Sequence, residues 1–197
     1  MREVEVKAVL DDWAARRDRL ERAGATLTFA GRLEDRRYDT AARDLAARDV
    51  VLRLRVHRDP SAARSTLGWK GPTERVDGYK VREELETAAA DPDALAAILD
   101  RLGYVVTRAI DREIAQFDLD GTAVRFERYP RMDDLVEVEG PPEGIERAIA
   151  ALGMTRSAFT ADRLPDFARR YAARTGLLPA LSDAELAGDV RYELDDA

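Results

Sequence analysis

The chain contains no cysteine and a single histidine, His57. Without thiols, disulfides, thiolate metal centres and cysteine nucleophiles are excluded. With one imidazole, histidine-built zinc centres and Ser-His-Asp catalysis lack their parts. A metal ion would have to be held by carboxylates, which suits hard ions such as Mg2+ or Mn2+. No apolar run approaches the roughly 20 residues that a membrane-spanning helix needs. Residues 1–7 are acidic and strand-like, unlike a signal peptide, so a cytoplasmic protein is the expectation. An excess of positive charge is missing too. The net charge is −7, which argues against non-specific binding to nucleic acid or to a membrane surface.

What is present is charge arranged in alternation. The 197 residues are enough for one domain with a sizeable core; 45% are hydrophobic and 36% charged, more charge than a surface needs for solvation alone. Residues 2–10 (REVEVKAVL) alternate charged and apolar, the period of a strand with two unlike faces. Further strands are predicted at 26–30, 34–39, 50–58, 66–71, 79–87, 110–119, 122–128 and 134–140. Asp120-Gly121 supplies hairpin chemistry. Helices are predicted from Asp11 or Asp12 to about Ala23, from Asp91-Pro92 to Leu102, over about 143–152 and 165–175, with a short one near 182–188. The polar stretch 42–49 reads as a helical connection or a hairpin tip.

A strand ending in Glu-x-Glu, then a helix, then a helix-stopping glycine occurs three times: Glu3/Glu5 to Gly24, Glu84/Glu86 to Gly103, and Glu137/Glu139 to Gly153. The first two units also place an aspartate equally far beyond the glycine, Asp39 and Asp118. This pattern predicts a tandem duplication and a quasi-symmetric antiparallel sheet with helices outside.

Residues two apart on a strand share a face. Glu3, Glu5 and Lys7 therefore oppose Val4, Val6 and Ala8. Arg53 and Arg55 oppose Leu52, Leu54 and Val56, and Lys70 opposes Leu67 and Trp69. Arg82, Glu84 and Glu86 oppose Val81 and Leu85; Arg125 and Glu127 oppose Val124 and Phe126; Glu137 and Glu139 oppose Val136 and Val138. One such strand is most simply a sheet face that meets water. Across six strands the off-core positions are almost all Glu, Arg or Lys. That points to an α+β fold in which an antiparallel β-barrel encloses a charged tunnel, with helices packed outside. Both signs are tolerable inside only if they neutralise each other or a ligand. A triphosphate answers to this description: Lys and Arg take its oxygens, and carboxylates hold cations that bridge to it.

In this order the segments become recognisable. EVEVK (Glu3, Glu5, Lys7), RRYDT (36–40), LRLR (52–55), GWKGP (68–72), VREELE (81–86), DPDALAAILDRLGY and LVEVEG (135–140) resemble the CYTH superfamily, the triphosphate tunnel metalloenzymes. That family comprises class IV adenylyl cyclases, thiamine triphosphatases and inorganic triphosphatases. The resemblance covers about residues 2–165 and implies a tunnel domain over 1–165, with 166–197 as a C-terminal helical extension of the same domain. It implies metal ligation by Glu3, Glu5, Glu137 and Glu139, with Mg2+ or Mn2+ as cofactor. Glu84 and Glu86 would hold a second metal or orient the basic residues. Lys7, Arg53, Arg55, Lys70, Arg82, Arg112 and Arg125 would bind phosphates, and Glu127 and Lys7 would serve catalysis. Two positions depart from the family pattern. Ile110-Asp111-Arg112 keeps only the arginine of a Lys-x-Arg, and Glu127 stands where an aspartate is usual.

The function expected is metal-dependent hydrolysis of a triphosphate: inorganic tripolyphosphate, thiamine triphosphate or a nucleoside triphosphate. An adenylyl cyclase is the alternative. Class IV cyclases often carry a His-Phe pair just before the first Glu-x-Glu-x-Lys; none stands here, which tilts the expectation to hydrolysis. A non-catalytic polyphosphate- or nucleotide-binding module is the second alternative, and the retained acidic pairs argue against it. The partner expected is a small triphosphate rather than nucleic acid or membrane. His57 is expected at a strand end in solvent, Trp69 and Tyr38 in the core, and Arg169, Arg170 and Arg174 on a solvated helix face.

Overall fold

A strand with one charged and one apolar face needs a different environment on each side. The computed structural model describes residues 2–193, with side chains from Val4 onward. Among these residues the chain forms β1 (Arg2–Val9), α1 (Trp13–Arg22), β2 (Thr26–Thr40), β3 (Val51–Arg58), β4 (Ala63–Lys70), β5 (Glu74–Val76) and β6 (Tyr79–Ala88). There follow α2 (Pro92–Arg101), β7 (Tyr104–Leu119), β8 (Thr122–Arg128), β9 (Leu135–Glu139), α3 (Pro142–Leu152), α4 (Leu164–Thr175) and α5 (Asp183–Ala187). Eight strands pair antiparallel in the order β1-β9-β8-β7-β2-β3-β4-β6, and β1 pairs with β6 to close the barrel. β5 is a short arm on β6.

The apolar faces point outward to the helices. Under α1 and α3, Val6, Leu20, Phe117, Phe126, Val136, Val138, Ile145 and Leu152 form the largest core. Under α2, Tyr38, Leu54 and Leu99 form a smaller one, so Tyr38 is a packing residue. Trp69 points out of the barrel and is half-buried beside Leu52, Leu67 and Leu85. Ile110, Tyr129, Leu135, Leu164, Phe167 and Leu181 make a third cluster that seats α4 and the chain before α5 against the barrel. Asp12 and Asp91 start α1 and α2 by accepting the Ala15 and Ala94 N–H groups at 3.0 and 2.9 Å.

The duplication is visible in three dimensions. Leu20 and Leu99, Tyr38 and Phe117, and Asp39 and Asp118 stand at one constant separation in sequence and do the same work in the two halves. Both leucines anchor the helix that follows the unit's first strand. Both aspartates hold the next hairpin: Asp39 accepts from the Leu45 and Ala46 N–H groups at 2.9 Å each, Asp118 from Gly121 at 3.3 Å. Because β1 pairs antiparallel with β6 and β2 with β7, the halves are related by a two-fold axis across the barrel.

Several boundaries differ from the sequence reading: β4 begins at Ala63 rather than at 66, and β5 is a strand not expected from sequence. Residues 26–30 and 34–39 are one strand, β2, and the strand expected at 110–119 begins at Tyr104, so that β2 and β7 pair along nearly their whole length. Gly31 is not a break. A Cβ there would lie 2.2 Å from the Arg58 carbonyl oxygen, so this glycine permits a close approach between strands. Residues 104–109 lack alternation and are strand because Arg36–Thr40 offer them partners.

Candidate active site

The inward faces converge on one cavity, partly open to solvent. Ten basic side chains line it: Lys7, Arg37, Arg53, Arg55, Lys70, Lys80, Arg82, Arg112, Arg125 and Arg163. Four carboxylates oppose them, Glu5, Asp35, Glu127 and Glu137; apart from Ile110, Tyr129 and Leu164, every lining side chain is charged. A chain of net charge −7 thus encloses a wall with six more bases than acids.

Nine of these groups form one alternating network around the wall. Arg55 forks onto Asp35 at 2.7 and 2.9 Å, and Arg112 reaches the same carboxylate at 3.1 Å. Arg112 and Arg125 both donate to Glu127 Oε1, at 2.9 and 3.0 Å, and the Tyr129 hydroxyl donates to Oε2 at 2.6 Å. Arg125 continues to Glu137, Glu137 to Lys7, Lys7 to Glu5 at 2.9 Å, and Glu5 to Lys80. Shared partners fix each arginine plane, which a lone surface pair would not.

Burial pushes the Glu5 and Asp35 carboxyls up, but the cations around each outweigh it and hold both well below the carboxylate range. Around Arg37, desolvation and the like charges of Arg53, Arg108 and Arg112 outweigh Asp35 and push the guanidinium down to about 9. A polyanion entering the cavity would relieve that repulsion.

A family model for the CYTH domain matches residues 1–130. The chain belongs to the CYTH family. Among solved structures, PH1819 from Pyrococcus horikoshii OT3 is similar, with TM-score 0.69 at 22% identity over 82% of this chain and 94% of its own. A proposed adenylate cyclase from Vibrio parahaemolyticus superposes with TM-score 0.71 at 18% identity, over 84% and 96%. HpAC1 from Hippeastrum, a proposed adenylyl cyclase with a dominant triphosphatase activity, gives 0.62 at 18% identity, over 91% and 99%. At these identities the likeness establishes the barrel. No curated protein matches the chain by sequence.

CYTH proteins are generally triphosphate-acting, metal-dependent enzymes, and the donor set here fits a hard divalent cation. Oxygens of Glu5, Glu137 and Glu139 lie within 4.8 Å of one another. Glu5 and Glu139 stand directly opposite across β1 and β9, a like-charge pair that needs nearby positive charge, supplied here by the ammonium groups on Glu5 and equally suited to a divalent ion. The phosphate side fits as well: the buried Arg53 Nε has no hydrogen-bond partner among the described residues. No helix among those residues is long and apolar enough to cross a membrane.

Of the residues singled out from sequence, Glu5, Lys7, Arg53, Arg55, Lys70, Arg82, Arg112, Arg125, Glu127 and Glu137 all line the one cavity. Glu139 joins the acid cluster beside it. The Glu3 side chain lies outside the described residues. Glu84 and Glu86 stand apart from the acid cluster: Glu84 pairs with Lys70, and Glu86, exposed, lies 3.7 Å from Arg53. In this structure they contact bases rather than join the other acids. His57 is half-buried against the Phe29 ring and outside the cavity; burial and the nearby Arg55 and Arg64 push it down to about 3. Arg169, Arg170 and Arg174 make exposed ion pairs on α4. Asp35, Arg37, Lys80, Tyr129 and Arg163 are cavity residues that the sequence reading missed. Lys80 shares a face with Arg82, and the two-apart rule would have found it.

Glu127 makes the network sensitive to acid. Burial pushes its carboxyl up, but Arg112, Arg125 and Lys7 prevail and hold it at about 2, against an ordinary 4.5. Since the folded value lies below the unfolded one, its stabilisation is complete above about pH 4.5 and is lost as pH falls toward 2. Urea midpoints measured from pH 6 down to pH 3 should fall more steeply in the wild type than in Glu127→Gln. Parallel curves would mean that the cations do not hold this carboxylate down.

Proposed function

We propose that this CYTH protein hydrolyses a triphosphate-bearing compound in a metal-dependent reaction, with inorganic tripolyphosphate, thiamine triphosphate and nucleoside triphosphates as candidate substrates. The observation that carries the reading is the wall of the cavity, with ten bases against four acids. A triphosphate brings roughly four negative charges, which offsets most of that excess. Little apolar wall is available for a base or another organic group, so the polyanion itself is what this cavity recognises. That favours hydrolysis over cyclisation, and the similar HpAC1, with its dominant triphosphatase activity, supports the same order.

Glu5, Glu137 and Glu139 would hold the cation, which when bound supplies Lewis-acid polarisation and charge neutralisation at phosphate oxygens. Arg55 and Arg112, oriented by Asp35, present planar donors to the phosphates. Lys7 and Arg125 stand beside the acid cluster, where charge builds as a P–O bond breaks. Glu127 has both oxygens engaged and a pKa near 2, so it positions Arg112 and Arg125 and is a poor proton acceptor at neutral pH.

Incubation with Mg2+ or Mn2+ and, separately, tripolyphosphate, thiamine triphosphate and ATP tests the proposal by its products. Orthophosphate is expected. Cyclic AMP with diphosphate from ATP would make the protein a cyclase, and tight binding without turnover would make it a binding module.

A further inference from the structure

In the acid cluster two lysines stand where a cation would sit. Lys80 lies directly opposite Glu5 across β1 and β6, and Lys7 directly opposite Glu137 across β1 and β9. Both ammonium groups contact the same oxygen, Glu5 Oε1, and Lys7 also contacts Glu137. All four residues are buried, so each carboxylate needs a positive partner at all times. A divalent ion bound to Glu5 and Glu137 would meet two ammonium groups at close range, and like charges so near do not share one ligand set.

We propose that Lys7 and Lys80 are interchangeable with the divalent ion: it displaces them from Glu5 and Glu137, and they turn to the phosphates, which couples cation and polyanion binding. This rests on the metal-dependent triphosphate reading above. Among the described residues the displaced ammonium groups find no vacant acid on the wall. Asp35 is taken by Arg55 and Arg112, and Glu127 by Arg112, Arg125 and Tyr129. Only an incoming anion replaces what they lose. Cation alone therefore binds weakly, polyanion alone leaves the acid cluster filled by lysine, and each raises the affinity of the other by the same factor.

The test is Mn2+ binding to the full chain without polyanion, read as the loss of the free-ion EPR signal, in wild type, Lys80→Met and Lys80→Arg. Methionine keeps the stem and removes the competitor, so Lys80→Met should bind Mn2+ at least about tenfold more tightly, while Lys80→Arg stays near wild type. In Lys80→Met, imidotriphosphate, which resists hydrolysis, should also tighten Mn2+ less than it does in wild type. Equal or weaker Mn2+ binding by Lys80→Met overturns the exchange, and Lys7→Met carries the same expectation should Lys80→Met fail to fold. Absence of Mn2+ binding in every protein, with and without imidotriphosphate, would instead remove the metal-dependent function, and the exchange with it.

Discussion

Replacing Glu137 by glutamine should lower kcat/KM for the triphosphate by about 10^2–10^3-fold, the scale for losing one preorganised electrostatic group, while the barrel stays folded. The carboxylate has three tasks in the structure. It shares the oxygen cluster with Glu5 and Glu139, and it holds Arg125 and Lys7 in the alternating network. Glutamine keeps the size and one acceptor but not the charge, so the cation is bound more weakly and Arg125 loses an anchor. Steady-state kinetics over a Mn2+ series separate the effects, since added metal restores occupancy but not the anchoring. Turnover undiminished at every Mn2+ concentration would take Glu137 out of the site.

The second large effect belongs to Asp35, which is almost wholly buried and surrounded by Arg53, Arg55 and Arg112. Asp35→Asn leaves three guanidinium groups crowded without their shared anion, and the loss of one partner from a buried charge network costs about 3–5 kcal/mol. Urea unfolding should show a loss of that order. Imidotriphosphate should then stabilise the variant more than the wild type, because the polyanion supplies the missing negative charge. A loss below about 1 kcal/mol, or equal stabilisation of both proteins, would mean that Asp35 does not organise these arginines.

Why sequence pointed to Arg55 and not to Asp35 is a matter of local contrast. Arg53 and Arg55 are separated by leucines, so their shared face is unambiguous. Asp35 lies in Glu34-Asp35-Arg36-Arg37, where both faces are charged: Glu34 and Arg36 meet ionic partners outside the barrel while Asp35 and Arg37 line it. Period 2 carries no information in such a run. Arg163 precedes α4 and reaches the cavity mouth from outside the sheet, so no strand pattern marks it. The barrel, by contrast, is legible from the charged and apolar faces that alternate along six strands, and the repeated Glu-x-Glu strands with their glycine-stopped helices mark its two matched halves. The partner of Glu84 was not legible, since register between β4 and β6 is set by the turns that join them.

That register has a consequence for direction. The two-fold axis across the barrel exchanges its two ends, and identical halves would make those ends alike. The halves have diverged on the wall: Glu5 faces Glu139, whereas its counterpart Glu84 faces Lys70, and Lys7 is matched by Glu86. One end gathers several carboxylates around Lys7 and Lys80, and the other sets a single carboxylate against Lys70. These exchanges between the repeats make the two ends of the tube chemically unlike, so that a guest with identical termini would meet different partners at each.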